Sequence, residues 1–290
     1  MGYTLFYIDD YLYYLCSHIR IFSDEYSENM RDMGVFEISA HRGIPKLAPE
    51  NTIPSLLLAL RSEADYIEFD VHRTLDGKLV VIHDSSLRRT TNGSGIVEFL
   101  PYKYLRRLDA GFWFSDRFRG THIPLLHEAL ELLSPWPKRI IIDIKSRNAT
   151  TKILDVVSEF GIENKVIIAS RIISELLVAK EKADSIQRML ISETIPDAMK
   201  MANLIEPNIV APTRKDSVWE RDIEYAHEQG IRINIGIIND PIEASIFSKI
   251  GADILTTDNA YLLAKVRKIG LQRKTFKNME KPLSNSLFCL

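Results

Sequence analysis

The stretch DYIEFDVHRTLDGKLVVIHD, residues 65–84, carries two acids inside one apolar run and ends a second run in a histidine and an aspartate. Glu68 and Asp70 stand two residues apart, so a β-strand turns both to the same face. A strand face wetted by solvent accounts for that spacing. A strand buried on both faces accounts for it only if something compensates the acids, because an unpaired buried charge is costly. The runs on either side decide which kind of strand this is.

Seven further short β-branched runs flank it: VFEISA (35–40), RIIIDIK (139–145), KVIIAS (165–170), RMLIS (188–192), NIVAP (208–212), IRINIGI (231–237) and DILTT (253–257). The segments between them space their apolar residues by three and four, as helices do, and several close on a glycine, at 161, 230 and 251. Eight strands alternating with helices in about 230 residues is the count of a (β/α)8 barrel, a TIM barrel. A doubly wound sheet shows the same alternation and stays open on this ground alone. Residues 79–124 break the rhythm with a ninth apolar run, LVVI, then Gly-Asn-Ser turn signals and clustered aromatics. They are expected to form a small insertion after strand two, over the barrel mouth, spanning about 84–124. The barrel is expected over 35–265, between an N-terminal extension (1–34) read as helical and a basic C-terminal tail (266–290).

The bulk numbers are those of an ordinary globular chain: 290 residues, 46% apolar, 26% charged, net charge −2. Nothing global points to nucleic acid. Cys16 and Cys289 lie near opposite ends and make no metal or disulfide pattern, which fits a reducing, cytoplasmic setting. The tyrosine-rich N-terminal segment lacks a basic start, and Asp9 and Asp10 interrupt it, against a signal peptide or a membrane span. Gly2 resembles a myristoylation start, but Phe6 stands where Ser or Thr is wanted. Seven basic residues between Lys265 and Lys281 suggest a solvated tail, with membrane contact at most weak and peripheral.

Barrel chemistry sits at the C-terminal ends of strands. Strand one ends in His41 and Arg42, strand two carries Glu68 and Asp70, LVVI ends in His83, and strand three carries Asp143 and Lys145 on one face. Three acids without cysteine suit a hard, oxygen-liganded cation, Mg2+ or Ca2+; a salt-bridge network is the alternative.

The segments HRG…PENT, IEFDVHRTLDGKLVVIHDSSLRRTTNGSG, LRRLDAGFWFSDRFRGTHIP, IDIK and GADILTTDNA closely resemble the glycerophosphodiester phosphodiesterase family, in order from about Phe36 to Leu263. The resemblance implies a TIM barrel, a divalent metal and hydrolysis of glycerophosphodiesters to sn-glycerol 3-phosphate and an alcohol. It makes Glu68, Asp70 and Asp143 metal ligands and His41 and His83 the catalytic histidines, although some relatives use the residue at His83 on the metal. It makes Arg42 and Lys145 phosphate holders and assigns Glu50 the acid of the Pro-Glu-Asn turn. Asn51 is expected to cap the following helix.

Two departures stand out. Asp143 falls where the family usually has glutamate. Gly236-Ile237-Ile238-Asn239 replaces a pattern like Trp-Thr-Val-Asn, which suggests a wider mouth. A wider mouth raises a second possibility, a sugar-phosphodiester synthase or transferase resembling the agrocinopine synthases. An inactive phosphodiester-binding barrel is a third.

Overall fold

The structure, a computed structural model, describes residues 33–279. Its strands are β1 (Glu37–Ala40), β2 (Tyr66–Arg73), β3 (Leu79–Val81), β4 (Arg139–Ile144), β5 (Val166–Ser170), β6 (Gln187–Ser192), β7 (Ile209–Pro212), β8 (Arg232–Gly236) and β9 (Ile254–Thr257). They form one sheet in the order β1-β9-β8-β7-β6-β5-β4-β2-β3, and a further pairing of β1 with β2 closes it. Only β3 runs antiparallel, on β2. The remaining eight strands are parallel, so the expected (β/α)8 barrel is what the chain forms.

Alternation along β2 and β4 places the chemistry. Ile67, Phe69 and Val71 of β2, with Ile140, Ile142 and Ile144 of β4, are buried in the layer between strands and helices. Tyr66 and Ile141 belong instead to the cluster inside the barrel, with Ile167, Met189, Ile209 and Ile254. Glu68 and Asp70 follow Tyr66 along that inner face, with Asp143 beyond Ile141. A slip of one residue would turn the acids into the apolar layer, so the apolar set locks the register. Burying one such Ile or Phe contributes roughly 1.5–3 kcal/mol.

The helices that cover the barrel include α1 (Ile53–Arg61) after β1, α3 (Leu126–Leu133) before β4, α4 (Thr150–Glu159) after β4 and α5 (Ile173–Lys182) after β5, while the short α2 (Tyr102–Leu105) belongs to the insertion. The insertion between β2 and β4 has a core of its own: Val80, Ile82, Leu87, Val97, Leu105, Leu108, Ala110 and Ile123. The aromatic run Phe112-Trp113-Phe114, expected to be part of that small core, lies outside it. Phe112 is exposed, Trp113 meets Phe114 edge to face, and Phe114 meets Phe118 likewise, which packs on the barrel core.

The last helix of the barrel differs from the expectation. It runs from Ala260 to Met279, so much of the stretch read as a basic tail continues it. Two of its basic residues are tied down: Arg267 Nη1 donates to Asp65 Oδ2 at 2.5 Å, and Lys268 pairs with Glu63. The expected helical extension falls almost wholly outside the described residues, as do both cysteines and the end of the tail. Among the described residues no helix is long and apolar enough to cross a membrane.

Candidate active site

Immediately after β1 the chain turns through Arg42 and Gly43, both at positive φ (51° and 84°). A β-carbon on Gly43 would lie 2.5 Å from the Ser55 carbonyl carbon, so only glycine lets the turn pack on α1. Ser55 Oγ seals the turn by donating to the Arg42 carbonyl (2.9 Å) and accepting from the Ile44 amide (2.7 Å). The turn aims His41 and Arg42 at the mouth. The Arg42 backbone N–H donates to Glu68 Oε2 at 2.7 Å, which joins the first strand end to the acids.

Parallel pairing sets Asp70 directly beside Asp143. Glu68, Asp70 and Asp143 are all buried, and their oxygens come within 4.8 Å of one another. Lys145 Nζ lies 2.9 Å from Asp70 Oδ1 and also pairs with Asp143. Arg42 Nε lies 3.2 Å from Asp70 Oδ2, off the hydrogen-bond direction. Burial alone would raise Asp70, but the Lys145 and Arg42 charges outweigh it and hold the carboxyl at about 2. Burial pushes Asp143 up to about 6 against the pull of Lys145. Burial, then the charges of Asp70 and Asp143, pushes Glu68 well above the usual carboxylate range.

With all three acids ionised, as a bound cation would hold them, two cations leave the cluster one negative charge in excess, and Asp143 Oδ1 is buried without a hydrogen-bond partner. An orphaned carboxylate oxygen facing two other acids is what a divalent cation would satisfy, and an all-oxygen donor set suits a hard ion. The residues therefore fit a divalent cation, and the shorter Asp143 stays within reach of its partners.

Each histidine is oriented by an aspartate. His41 Nδ1 lies 2.7 Å from Asp258 Oδ1, and Asp258 also accepts from Asn239 Nδ2 at 2.8 Å. His83 Nδ1 lies 2.7 Å from Asp84 Oδ1. In both rings Nε2 remains for proton transfer. Burial lowers the His83 pKa, which keeps that ring neutral near pH 7. Arg89, from the insertion, bridges the two sides of the mouth. It donates to both oxygens of Glu50 (2.7 Å each) and to both of Asp84 (2.7 and 2.9 Å). Glu50 in turn accepts from Arg42 Nη1 at 2.7 Å. One guanidinium thus ties the arm holding Arg42 to the arm holding His83.

His41, Arg42, Glu68, Asp70, His83, Asp143 and Lys145 all line one cavity of about 250 Å³. Glu50 does not line it and acts through Arg42 and Arg89. Asp84 stands beside His83 in the sequence, whereas Asp258 and Arg89, though inside the motif stretches, do not stand out because their partners are set by the fold. Asn51 caps nothing. Its Nδ2 donates to Asp70 Oδ2 at 2.7 Å and its Oδ1 accepts from the Asp70 amide, so it positions an acid instead. His72, which follows the acid pair on β2, is buried, with its ring bonded to Ser146 Oγ and to the His83 carbonyl (3.0 Å each). Gly236 does not simply open the mouth: a β-carbon there would lie 2.8 Å from Thr256 Cβ. Glycine lets β8 approach β9, and Gly236 and Ile237 both line the cavity there.

Residues 41–262 match the Glycerophosphoryl diester phosphodiesterase family. A glycerophosphodiester phosphodiesterase of Caldanaerobacter subterraneus subsp. tengcongensis is 33% identical over 240 residues, 80% of this chain and 98% of its own. A crystal structure of a glycerophosphodiester phosphodiesterase from Agrobacterium tumefaciens, 29% identical, superposes with a TM-score of 0.69 over 80% of this chain and 100% of its own. An Oleispira antarctica phosphodiesterase, solved in complex with the product sn-glycerol-3-phosphate, is 25% identical with a TM-score of 0.76, over 80% of this chain and 96% of its own. With the match spanning the barrel from the first histidine to the last helix, the chain belongs to the glycerophosphoryl diester phosphodiesterase family.

Proposed function

We propose that this chain hydrolyses small-molecule glycerophosphodiesters to sn-glycerol 3-phosphate and an alcohol, using His41 and His83 as the acid–base pair. The observation that carries this reading is the pair of rings on one cavity, each with Nδ1 held by an aspartate and Nε2 left free. The diester is an anion, so charge builds on the phosphoryl oxygens as a nucleophile attacks. Arg42 and Lys145 stand where they would stabilise that charge. Glu68, Asp70 and Asp143 would hold Mg2+ or Ca2+, which when bound supplies Lewis-acid stabilisation of the same oxygens.

The neighbouring glycerol hydroxyl is the nucleophile we favour, because its proximity avoids ordering a second reactant. One histidine takes its proton as the new P–O bond forms, and the other gives a proton to the departing alkoxide. The resulting cyclic phosphodiester is opened by water with the two roles exchanged. A neutral His83 suits the ring that accepts first.

Phosphorus NMR with Mg2+ or Ca2+ and glycerophosphoglycerol tests the reading, beside His83→Ala and a reaction with free sugar added. Phosphomonoester appearing with the native chain and absent with His83→Ala supports it. A new diester formed only with sugar makes the chain a transferase, and silence throughout leaves a binding barrel.

A further inference from the structure

Three further arginines stand at the mouth: Arg73 and Arg147 take no part in the network above, and Arg171 reaches it only through its charge on Asp143. Arg73 ends β2, Arg147 follows β4 and Arg171 follows β5, and these three strands are neighbours in the barrel. All three side chains are exposed. Among the described residues none of them is paired with a carboxylate. By contrast, Arg42 and Arg89, also at the mouth, are ion-paired with Glu50, Asp70 and Asp84.

The three arginines flank a second cavity. It has a volume of about 450 Å³ and is lined by Arg73, Arg147, Glu98, Leu75, Phe99 and Lys145, among others. Lys145 lines the reaction cavity as well, so the two are contiguous through it. Arg171 stands on the reaction-cavity side of the same rim, with Ile172 on the other. Arg73, Arg147 and Lys145 face a single acid, Glu98, and Lys145 is already drawn to Asp70 and Asp143. Leu75 and Phe99 add an exposed apolar wall.

A phosphodiester has two arms, and phosphate held at Lys145 leaves one of them directed along this rim. We infer that Arg73 and Arg147, with Arg171 beside them, form an anion subsite for that arm. The substrate class is then glycerophosphodiesters whose second alcohol bears a further phosphate or carboxylate. The physical basis is the fork of the guanidinium, which matches a phosphate or carboxylate with two parallel hydrogen bonds. Two unpaired guanidiniums on one cavity also raise the local concentration of anionic substrate, in a salt-dependent way. A quaternary ammonium arm would meet repulsion from both arginines, with only Glu98 and Phe99 to attract it.

This inference rests on the proposed hydrolase reading, and one comparison separates the two. The probes are glycerophosphoglycerol, the same diester carrying a terminal phosphate, and glycerophosphocholine, with kcat/KM measured at low and high salt. The native chain should favour the terminally phosphorylated diester over its parent by about tenfold at low salt, and by less as salt rises. The double variant Arg73→Gln/Arg147→Gln should cleave glycerophosphoglycerol as the native chain does and lose most of that preference. Cleavage of all three diesters with no preference for the anionic arm overturns the subsite alone. A preference for glycerophosphocholine that Glu98→Gln abolishes overturns it in favour of a cation site. No cleavage of any diester overturns the hydrolase reading and this inference with it.

Discussion

The contact between His41 and Asp258 offers the sharpest test of the proposed mechanism. Asp258→Ala removes the acceptor that lies 2.7 Å from His41 Nδ1 and also takes the acceptor from Asn239 Nδ2. A hydrogen bond to a charged group contributes roughly 1.5–3 kcal/mol. The two side chains are 17% and 23% exposed, so solvent screens part of that, and about 1–2 kcal/mol is the loss to expect in the transition state. At about 1.4 kcal/mol per factor of ten, kcat should fall roughly 5- to 30-fold. The ring loses orientation rather than a phosphate contact, so KM should change little. Steady-state kinetics on glycerophosphoglycerol at saturating metal measures both, and circular dichroism confirms that the barrel is intact. Asp258→Asn keeps an acceptor oxygen without the charge and should lie between the two. If Asp258→Ala retains kcat within threefold while His41→Ala is inactive, the orienting role assigned to Asp258 is wrong.

Three other predictions follow from the same geometry. Asp143 keeps its proton up to about pH 6 in the folded metal-free chain, against 3.8 for the free group, so the stability it contributes is present below pH 4 and lost as pH rises through about 6. A bound cation replaces that proton, so the gain in Tm on adding Ca2+ should be larger at pH 7.5 than at pH 5. A gain as large at pH 5, by scanning fluorimetry, would contradict the cluster as the metal site. Arg89→Ala releases Glu50 and Asp84 together and should cut kcat/KM about tenfold or more, with added guanidinium restoring part of it; loss without rescue would point to a misfolded insertion instead. Gly43→Ala places a β-carbon against Ser55 at a positive φ and should lower stability by at least about 1 kcal/mol, read from urea midpoints. An unchanged midpoint would mean that the turn moves freely, against the rigid presentation of His41 described above.

The acids, both histidines and the two cations were legible because each belongs to a short, local pattern. Glu68 and Asp70 share a face by strand periodicity alone, and apolar neighbours on the other face leave no choice of which side goes inward. The same periodicity marks the eight strands. What escaped the sequence lies between segments. Asn51 holds Asp70 rather than a helix end, because β1 and β2 pair side by side. His72 is buried rather than wet, because β3 folds back onto β2 and brings the His83 carbonyl to its ring. Gly236 answers to Thr256 on the neighbouring strand more than to the substrate.

By itself, then, the sequence determined the alternation of eight strands with helices, the break in it and the residue types at the strand ends, since backbone geometry dictates faces and spacings over a few residues. Closure into a barrel rests on the pairing of β1 with β2 and β9. Only the tertiary structure decided which groups hold which. Asp258 reaches His41 across 217 positions of chain, and Arg89 reaches Glu50 across 39. Those partnerships depend on strand register and on the closure of β1 against β9, which bring distant residues within 3 Å and which no local pattern encodes.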